Sequence, residues 1–269
     1  MTAARITQRL AARKAEGRTA LVVYLTIGEP NVDESIACAK AALRAGADML
    51  ELGVPFSDPT ADGPVISQAS YRAIHQGGSL KAALRTAREV RAESDAPLVL
   101  FTYFNPIVAF GDDRLPRAAR EAGVDGLLVV DLPPEEGAVL RDSAAQEELA
   151  FIPLVAPTTD REREVKVVAR ASGFVYYVSV TGVTGTGAAP LVEAGQQAAA
   201  LRERVKLPVV VGFGIRSPEN ARAVAAQGVD GVVVGTEIVR VMAAAENAAA
   251  RVAAVEKLVG ALRQGLDAG

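Results

Sequence analysis

The sequence has 269 residues, of which half are apolar, and its formal net charge is -3. A charge this close to zero does not indicate nucleic acid or an anionic membrane as a partner. Cys38 is the single cysteine and His75 the single histidine, so a disulfide within the chain and a multi-histidine metal site are excluded. No apolar run approaches the roughly 20 residues that span a bilayer, and residues 1–17 lack the apolar core of a signal peptide, so we expect a soluble, cytoplasmic protein.

Short β-branched and aliphatic runs alternate with amphipathic stretches along the chain. Runs of this kind, bounded by turn residues, are typical of strands that are covered on both faces. The predicted strands are residues 20–26, 48–53, 97–103, 125–131, 149–155, 173–179, 207–212 and 230–235. The predicted helices are residues 2–16, 31–45, 65–76, 79–91, 113–122, a helix that opens at Pro133, 160–171, 190–204, 217–227 and 237–265.

Three joints between a helix and the next strand look alike. Residues 45–48, 122–125 and 227–230 each place a glycine where the helix must stop and then lead through a short turn to an aspartate. Eight strand–helix units without a polar linker predict an α/β protein, a single-domain (β/α)8 TIM barrel across residues 1–269, with residues 1–17 as an extra N-terminal helix packed on it. A doubly wound open sheet is disfavoured, because no glycine-rich nucleotide fingerprint follows the first strand.

Carboxylates cluster around the end of the second predicted strand. Glu51 ends that strand, and Asp58 and Asp62 lie on the following loop, where no basic residue neutralises them. Two acids in different environments can hold different protonation states, which suits acid–base catalysis. For Glu51 and Asp62 a catalytic role and a plain structural role both stay open, whereas Asp58 is interpreted as a solvated turn residue.

The last two predicted strands end in glycine-containing loops. In TIM barrels the loops after strands seven and eight are the usual phosphate site, and here they carry Gly214, Gly235 and Thr236. Gly185, in the loop after strand six, could close a third side. Backbone N–H groups at helix starts would then hold the anion, although the same glycines would also serve as plain turns.

Other strand ends offer walls for a pocket. Tyr24, Tyr103 and Tyr176 lie at or near such ends and can be pocket walls or core residues. Asp131, at the end of the fourth predicted strand, can cap the helix start at Pro133 or join a hydrogen-bond network at the mouth of the barrel.

Several motifs of the chain are long or specific enough to compare with known families. The most specific is ELGVPFSDPTADGP at residues 51–64. The others are residues 101–107 (FTYFNPI), 130–133 (VDLP), 176–185, 211–215 (VGFGI) and 235–236. Together they resemble the tryptophan synthase alpha subunit family, and the resemblance extends across nearly the whole chain.

The resemblance implies a TIM barrel that cleaves indole-3-glycerol phosphate to indole and glyceraldehyde 3-phosphate. It implies that Glu51 and Asp62 are the catalytic acids and that Thr184 closes over Asp62. The residues that match the family's phosphate grip are Gly185, Phe213, Gly214, Gly235 and Thr236. By the same resemblance the chain itself uses no cofactor and pairs with a beta subunit, which carries pyridoxal phosphate, in an alpha2–beta2 heterotetramer.

The chain departs from the family pattern at three places. Thr236 stands where serine is usual, Ser67 stands where many members have glutamine, and residues 186–189 lack the arginine that many members carry there. The last departure bears on loop closure and on signalling to the partner.

Three alternatives to the family activity stay open. The chain could be a stand-alone lyase that releases free indole, a sugar-phosphate isomerase barrel of histidine or tryptophan synthesis, or a non-catalytic regulatory subunit. The presence of both acids disfavours the last of these.

Overall fold

The computed structural model describes residues 3–179, 189–212 and 214–268, and within them nine parallel strands alternate with twelve helices. The strands are β1 (Ala20–Thr26), β2 (Met49–Gly53), β3 (Leu98–Thr102), β4 (Gly126–Val129), β5 (Ala150–Ile152), β6 (Leu154–Val155), β7 (Val175–Val178), β8 (Val209–Gly212) and β9 (Gly231–Val234). The helices are α1 (Ala3–Ala15), α2 (Val32–Arg44), α3 (Pro64–His75), α4 (Leu80–Arg91), α5 (Phe104–Phe110), α6 (Leu115–Glu121), α7 (Ala138–Gln146), α8 (Arg161–Val168), α9 (Ala189–Val205), α10 (Pro218–Ala225), α11 (Thr236–Ala244) and α12 (Ala248–Asp267).

The sheet closes on itself through residues 150–155. The strand order is β5-β4-β3-β2-β1-β9-β8-β7-β6, and Pro153 alone separates its two ends along the chain. Pro153 has no N–H to donate, but its carbonyl accepts the N–H of Tyr176 at 2.9 Å. Residues 150–155 therefore act as one barrel strand that contacts β4 with its first half and β7 with its second. The prediction of a single-domain (β/α)8 barrel is confirmed.

Two apolar clusters follow from the alternation of side chains along the strands. On β1, Leu21, Val23 and Leu25 face outward and pack in the layer between the strands and the surrounding helices. Val22 and Tyr24 on the same strand face the barrel interior and join a separate inner cluster. The inner cluster fills the barrel, so polar groups that reach its upper end lie in an apolar surrounding.

Helix α1 covers the lower end of the barrel, where the strands begin. Ile6 and Leu10 of this helix are buried and belong to the inner cluster. On the polar side of the helix, Arg5 Nη1 donates to Asp125 at 2.7 Å and Arg13 Nε donates to Asp48 at 2.5 Å. The assignment of all of residues 1–269 to one domain, with residues 1–17 as its packed helix, stays a prediction because the extreme termini lie outside the described residues.

The repeated glycine–aspartate joints have a shared structural role. In each joint, the aspartate lies just before a strand, and its carboxylate accepts a hydrogen bond from a backbone N–H of the preceding strand in the chain. The donor–acceptor distances are 2.8 to 2.9 Å, and the pairs are Asp48 with Leu21, Asp125 with Leu98 and Asp230 with Val209. These bonds satisfy N–H groups near the starts of β1, β3 and β8, at the lower end of the barrel, where an unpaired buried N–H would be destabilising.

Some predicted elements were wrong in their bounds. No helix opens at Pro133; residues 133–137 form turns and α7 begins only at Ala138, after Gly137. The segment predicted as one helix at 237–265 is two, because Asn247 accepts the N–H of Ala250 and starts α12 anew. Helix α5 was not predicted. Among the described helices none is both long and apolar enough to cross a membrane.

Candidate active site

A pocket opens at the upper end of the barrel, where the strands end. Its lining combines two carboxylates, three aromatic rings, aliphatic side chains and the start of α11; the residues are Tyr24, Glu51, Asp62, Ile66, Phe101, Tyr176, Gly214, Ile215, Val233, Gly235 and Thr236. Glu51 and Asp62, which the sequence placed on one strand end and one loop, therefore face the same space.

Glu51 lies in the middle of β2 and points into the barrel; the prediction that it ends the strand was wrong, because the pairing of β2 with β1 and β3 continues to Gly53. It is fully buried, and within the described part of the chain neither of its carboxylate oxygens has a hydrogen-bond partner. Burial raises the pKa of Glu51 to about 8, because the charged form loses its hydration and gains nothing in return. At neutral pH the side chain is therefore mainly a protonated acid that can give up its proton inside the pocket.

Asp62 lies on loop two, which we define as residues 54–63, between β2 and α3. Burial raises the pKa of Asp62 to about 6, and the hydrogen bond from Tyr103 opposes that increase. Tyr103 Oη donates to Asp62 Oδ2 at 3.1 Å. Asp62 is therefore mainly ionised at neutral pH, and the two acids of the pocket hold opposite protonation states.

Three aromatic rings line the pocket together with Glu51. The rings of Tyr24 and Phe101 meet edge to face with centroids 5.2 Å apart, and Phe101 meets Tyr176 in the same way at 6.3 Å. From their strand-end positions both tyrosines could be pocket walls or core residues, and the structure places them at the pocket, but Phe101, which links them, was not predicted. The alternation of Val99 and Phe101 along β3 was the signal that could have identified it.

The start of α11 forms another wall of the pocket. Gly235 is its N-cap and Thr236 its first residue, so the first N–H groups of this nine-residue helix have no partner within the helix. Gly214, from the loop after β8, lines the same wall and has a left-handed φ of 79°. These groups are suited to hold an anion by backbone dipoles.

Three site residues inferred from the sequence lie outside the described residues. They are Thr184, Gly185 and Phe213. Their assigned roles in loop closure and phosphate binding stay predictions.

Tyr103 and Asp131 are placed behind the pocket and are not part of its lining. Tyr103 contacts loop two from behind. Asp131 Oδ1 accepts the N–H of Phe104 at 2.7 Å, so Asp131 caps the start of α5, and the prediction that it caps a helix at Pro133 was wrong. Ser67, where many family members have glutamine, donates from its hydroxyl to the carbonyls of Asp62 and Gly63 at 3.3 and 3.1 Å. Ser67 therefore ties the first turn of α3 to the end of loop two.

Comparison with known proteins agrees with this arrangement. The family model described as the tryptophan synthase alpha chain matches residues 10–267. The solved structure of tryptophan synthase subunit alpha from Legionella pneumophila is 36% identical, covers 98% of this chain and 99% of its own, and superposes with a TM-score of 0.90. A structure from Aquifex aeolicus is 37% identical with 97% and 98% coverage and a TM-score of 0.87.

A third similar structure is tryptophan synthase from M. tuberculosis in an open form with BRD0059 bound. It is 31% identical, covers 97% of this chain and 98% of its own, and has a TM-score of 0.87. Because the family model spans nearly the whole sequence and the similarity to solved alpha subunits extends over the same length, the chain belongs to the tryptophan synthase alpha chain family, whose members are lyases of tryptophan biosynthesis.

Proposed function

We propose that this chain cleaves indole-3-glycerol phosphate to indole and glyceraldehyde 3-phosphate by a retro-aldol reaction. The observation that supports the proposal most directly is the pairing, in one pocket, of the buried acid Glu51 with the ionised Asp62. Acids with opposite protonation states are what a reaction with both a proton donor and a charge-stabilising group requires.

Glu51 supplies the proton transfers in this mechanism. Cleavage of the bond between indole C3 and the glycerol carbon needs a proton at C3 and the loss of a proton from the neighbouring hydroxyl as it becomes a carbonyl. Glu51 is protonated at neutral pH, so it donates to C3 and then, as a carboxylate, accepts the hydroxyl proton. The residue returns to its protonated form, and no outside acid or base is consumed.

Asp62 supplies the electrostatic part. Protonation at C3 places positive charge on the indole ring, and a carboxylate that accepts the indole N–H stabilises this charge. A pKa of about 6 keeps Asp62 ionised at neutral pH. The aromatic walls formed by Phe101 and Tyr176 suit the apolar faces of the ring.

The phosphate of the substrate is proposed to bind at the start of α11. Gly235 and Thr236 present N–H groups and a hydroxyl, and Gly214 leaves room for close approach of the backbone. Gly185 and Phe213 belong to the same proposed grip through the family resemblance. An anion held in this way gains from the helix dipole without a lysine or arginine in the grip.

The proposed partner is a tryptophan synthase beta subunit, in an alpha2–beta2 assembly that carries pyridoxal phosphate on the beta chain and none on this one. The M. tuberculosis relative is described as tryptophan synthase, including an aminoacrylate-bound form. A cytoplasmic location is part of the proposal and is checked by cell fractionation.

An assay of indole release from indole-3-glycerol phosphate, with and without an added beta subunit, tests the function. We expect slow cleavage by the chain alone and faster cleavage with the partner. Glu51→Gln is expected to abolish both, whereas the matched control Glu164→Gln, another buried glutamate that pairs with Arg204 on the outer layer, is expected to retain them.

The other outcomes separate the alternatives. Full activity without any response to a beta subunit would indicate a stand-alone lyase. No cleavage, with turnover of a sugar phosphate of histidine or tryptophan synthesis, would indicate an isomerase barrel. Binding of a beta subunit without any turnover would indicate a regulatory subunit.

A further inference from the structure

Within the described part of the chain, residues 57–63 of loop two are hydrogen-bonded to the barrel beyond α3 through one side chain, whereas at the start of the loop Val54 N–H donates to the carbonyl of Phe101 at 2.9 Å. The other hydrogen bonds of residues 57–63 in the described part of the chain stay within the loop or pass to the first turn of α3, such as Thr60 N–H to Asp58 O and Asp62 N–H to Pro59 O. The exception is Tyr103, whose hydroxyl accepts the N–H of Ala61 at 3.0 Å and donates to Asp62 Oδ2 at 3.1 Å.

The side chain of Tyr103 is itself held firmly. It is 2% exposed, and its ring lies 5.1 Å from the ring of Phe56, near the start of loop two. Its backbone is the N-cap of α5, and Asp131 accepts the N–H of the next residue, Phe104. Asp131, just after β4, therefore holds the backbone at Phe104, the residue next to Tyr103, and Tyr103 in turn holds Asp62.

The direction of the two hydrogen bonds fixes the proton of the Tyr103 hydroxyl. Since the oxygen accepts from Ala61, its own hydrogen is free to point at the carboxylate of Asp62. Burial, followed by the charge of Asp62, raises the pKa of Tyr103 well above its usual value, so the hydroxyl keeps that proton throughout the working range of pH.

We infer that Tyr103 is the positioning residue of the site, which holds Asp62, and with it loop two, in place at the mouth of the pocket. This inference rests on the proposed function for its effect on turnover, but not for its effect on Asp62 itself. Tyr103 does not line the pocket, so it acts through Asp62 and not on the substrate.

The groups that face Asp62 allow a clean measurement. Glu51 on β2 is neutral below its pKa of about 8, and burial raises the pKa values of Tyr24 and Tyr176 far above neutrality. No lysine or arginine contributes to the shift in the pKa of Asp62 within the described residues. Among the described residues, the hydrogen bond from Tyr103 is thus the specific interaction that favours the ionised form.

The first test is a carboxyl NMR titration of Asp62 in the full chain, without substrate. In Tyr103→Phe the pKa of Asp62 is expected to rise by roughly half a unit to one unit, because the lost hydrogen bond stabilised the charged form. The matched control is Tyr177→Phe, which removes the bond from Tyr177 Oη to Gln197 Oε1 (2.6 Å) in the outer layer and should leave Asp62 unchanged. An Asp62 that titrates identically in Tyr103→Phe overturns the inference, whatever the activity.

A second measurement does not depend on the folding of a variant. Replacement of all five tyrosines by 3-fluorotyrosine makes each hydroxyl a stronger donor, so the pKa of Asp62 is expected to fall. An increase, or no change, would contradict a hydrogen bond from Tyr103 as the controlling interaction.

The kinetic test compares pH profiles. Tyr103→Phe is expected to lower kcat roughly 10- to 100-fold near pH 6, the scale of one hydrogen bond to a charged group, and to move the acid limb to higher pH. On an Asp62→Asn background the same change should lower kcat less than about twofold, because residues that act as a unit are not additive. An equal loss on both backgrounds would overturn the inference, whereas a wild-type chain that cleaves nothing would refute the proposed function and leave the NMR result to decide the role of Tyr103.

Discussion

The ring of Tyr24 fills the space beside Gly53 that a side chain at residue 53 would need: a Cβ on Gly53 would lie 2.3 Å from the hydroxyl oxygen of Tyr24. The two strands that carry them are adjacent, and their register places Tyr24 beside Glu51. A glycine at residue 53 therefore allows the tyrosine ring to lie against β2, next to the proposed proton donor.

Gly53→Ala is expected to push the Tyr24 ring towards the pocket. Overpacking of a buried site typically lowers the free energy of unfolding by about 1–3 kcal/mol, and the displaced ring should also reduce cleavage. The measurements are a urea unfolding curve and kcat/KM for indole release. Gly260→Ala on α12 is the control, because nothing lies within 4 Å of its Cβ and alanine in a helix should raise stability by about 0.5–1 kcal/mol. A Gly53→Ala protein as stable and active as wild type would show that Tyr24 has another place to go.

The strands could be predicted from the sequence because their aliphatic runs are long and are separated by glycine-ended helices. Helix α5 could not, since seven residues with Pro106 among them give too little periodicity. The break before α12 was hidden by the alanine-rich run, where only the cap at Asn247 marks a new start. Helix α6 is equally short but was predicted, within residues 113–122, because Gly123 marks where it stops.

From the sequence, the site could be predicted only for residues at the strand ends and in the loops that follow them. Glu51 and Asp62 were identified from position and motif, but the hydrogen bond from Tyr103 to Asp62 spans 41 residues and depends on the packing of loop two. The sequence could not indicate that Asp131 supports α5 instead of the pocket, since both roles need an acid at a strand end.

The buried carboxyl of Glu51 should make stability depend on pH. Its pKa is about 8 in the folded chain and 4.5 in the reference state, so folded protein binds an extra proton between these values and stability falls as pH rises through that window. A shift of this size corresponds to roughly 4–5 kcal/mol. Glu51→Gln should therefore be more stable than wild type, by little at pH 5 and by several kcal/mol above pH 8.

Urea unfolding from pH 5 to pH 9 measures this difference. The change in free energy of unfolding between variant and wild type is expected to grow with pH and then level off near pH 8 to 9. A difference independent of pH would mean that Glu51 ionises in the folded chain as easily as in the unfolded one.

Gly235→Asp should weaken binding of the substrate phosphate. The new carboxylate would lie at the start of α11, where N–H groups are proposed to meet the anion, and we expect KM to rise at least about tenfold, the effect of losing roughly 1.4 kcal/mol. A Cβ at this position also approaches Tyr24 Cδ1 at 3.1 Å. Gly235→Ala is therefore the control for volume, and equal KM values for the two variants would attribute the effect to crowding and not to charge.

Asp58→Ala tests where the partner docks. Asp58 is exposed on loop two, and its Oδ2 accepts a hydrogen bond from the hydroxyl of Ser57 at 2.6 Å. If a beta subunit docks on this loop and favours its closed form, the variant should lose more of the activation than of the basal cleavage. Glu203→Ala, at the opposite end of the barrel near α1, is the control and should change neither. Equal loss of basal and activated rates would assign Asp58 to the site or the fold.

The mechanism depends most on Glu51 and Asp62, and conservative exchanges separate their roles. Glu51→Gln keeps the size of the side chain but cannot shuttle a proton, and Asp62→Asn keeps the shape but removes the charge. Each should fold, bind a substrate analogue nearly as wild type does, and lose roughly 10²-fold or more in kcat, the scale of general acid–base and single-site electrostatic contributions. Because both act on one transition state, the double variant should lose less than the product of the single losses.

The charge-conserving exchanges should differ in outcome. Glu51→Asp shortens the reach to C3 by one methylene and should be nearly inactive, whereas Asp62→Glu keeps a carboxylate near Tyr103 and should retain part of the activity. The measurements are kcat for indole release and the dissociation constant of the analogue, each across pH 5 to 9. The pH dependence carries an added check: wild-type kcat should fall on the acid side as Asp62 becomes protonated around pH 6 and on the basic side as Glu51 loses its proton around pH 8. Asp62→Asn should remove the acid limb alone, and a Glu51→Gln protein with near wild-type kcat would exclude Glu51 as the proton shuttle.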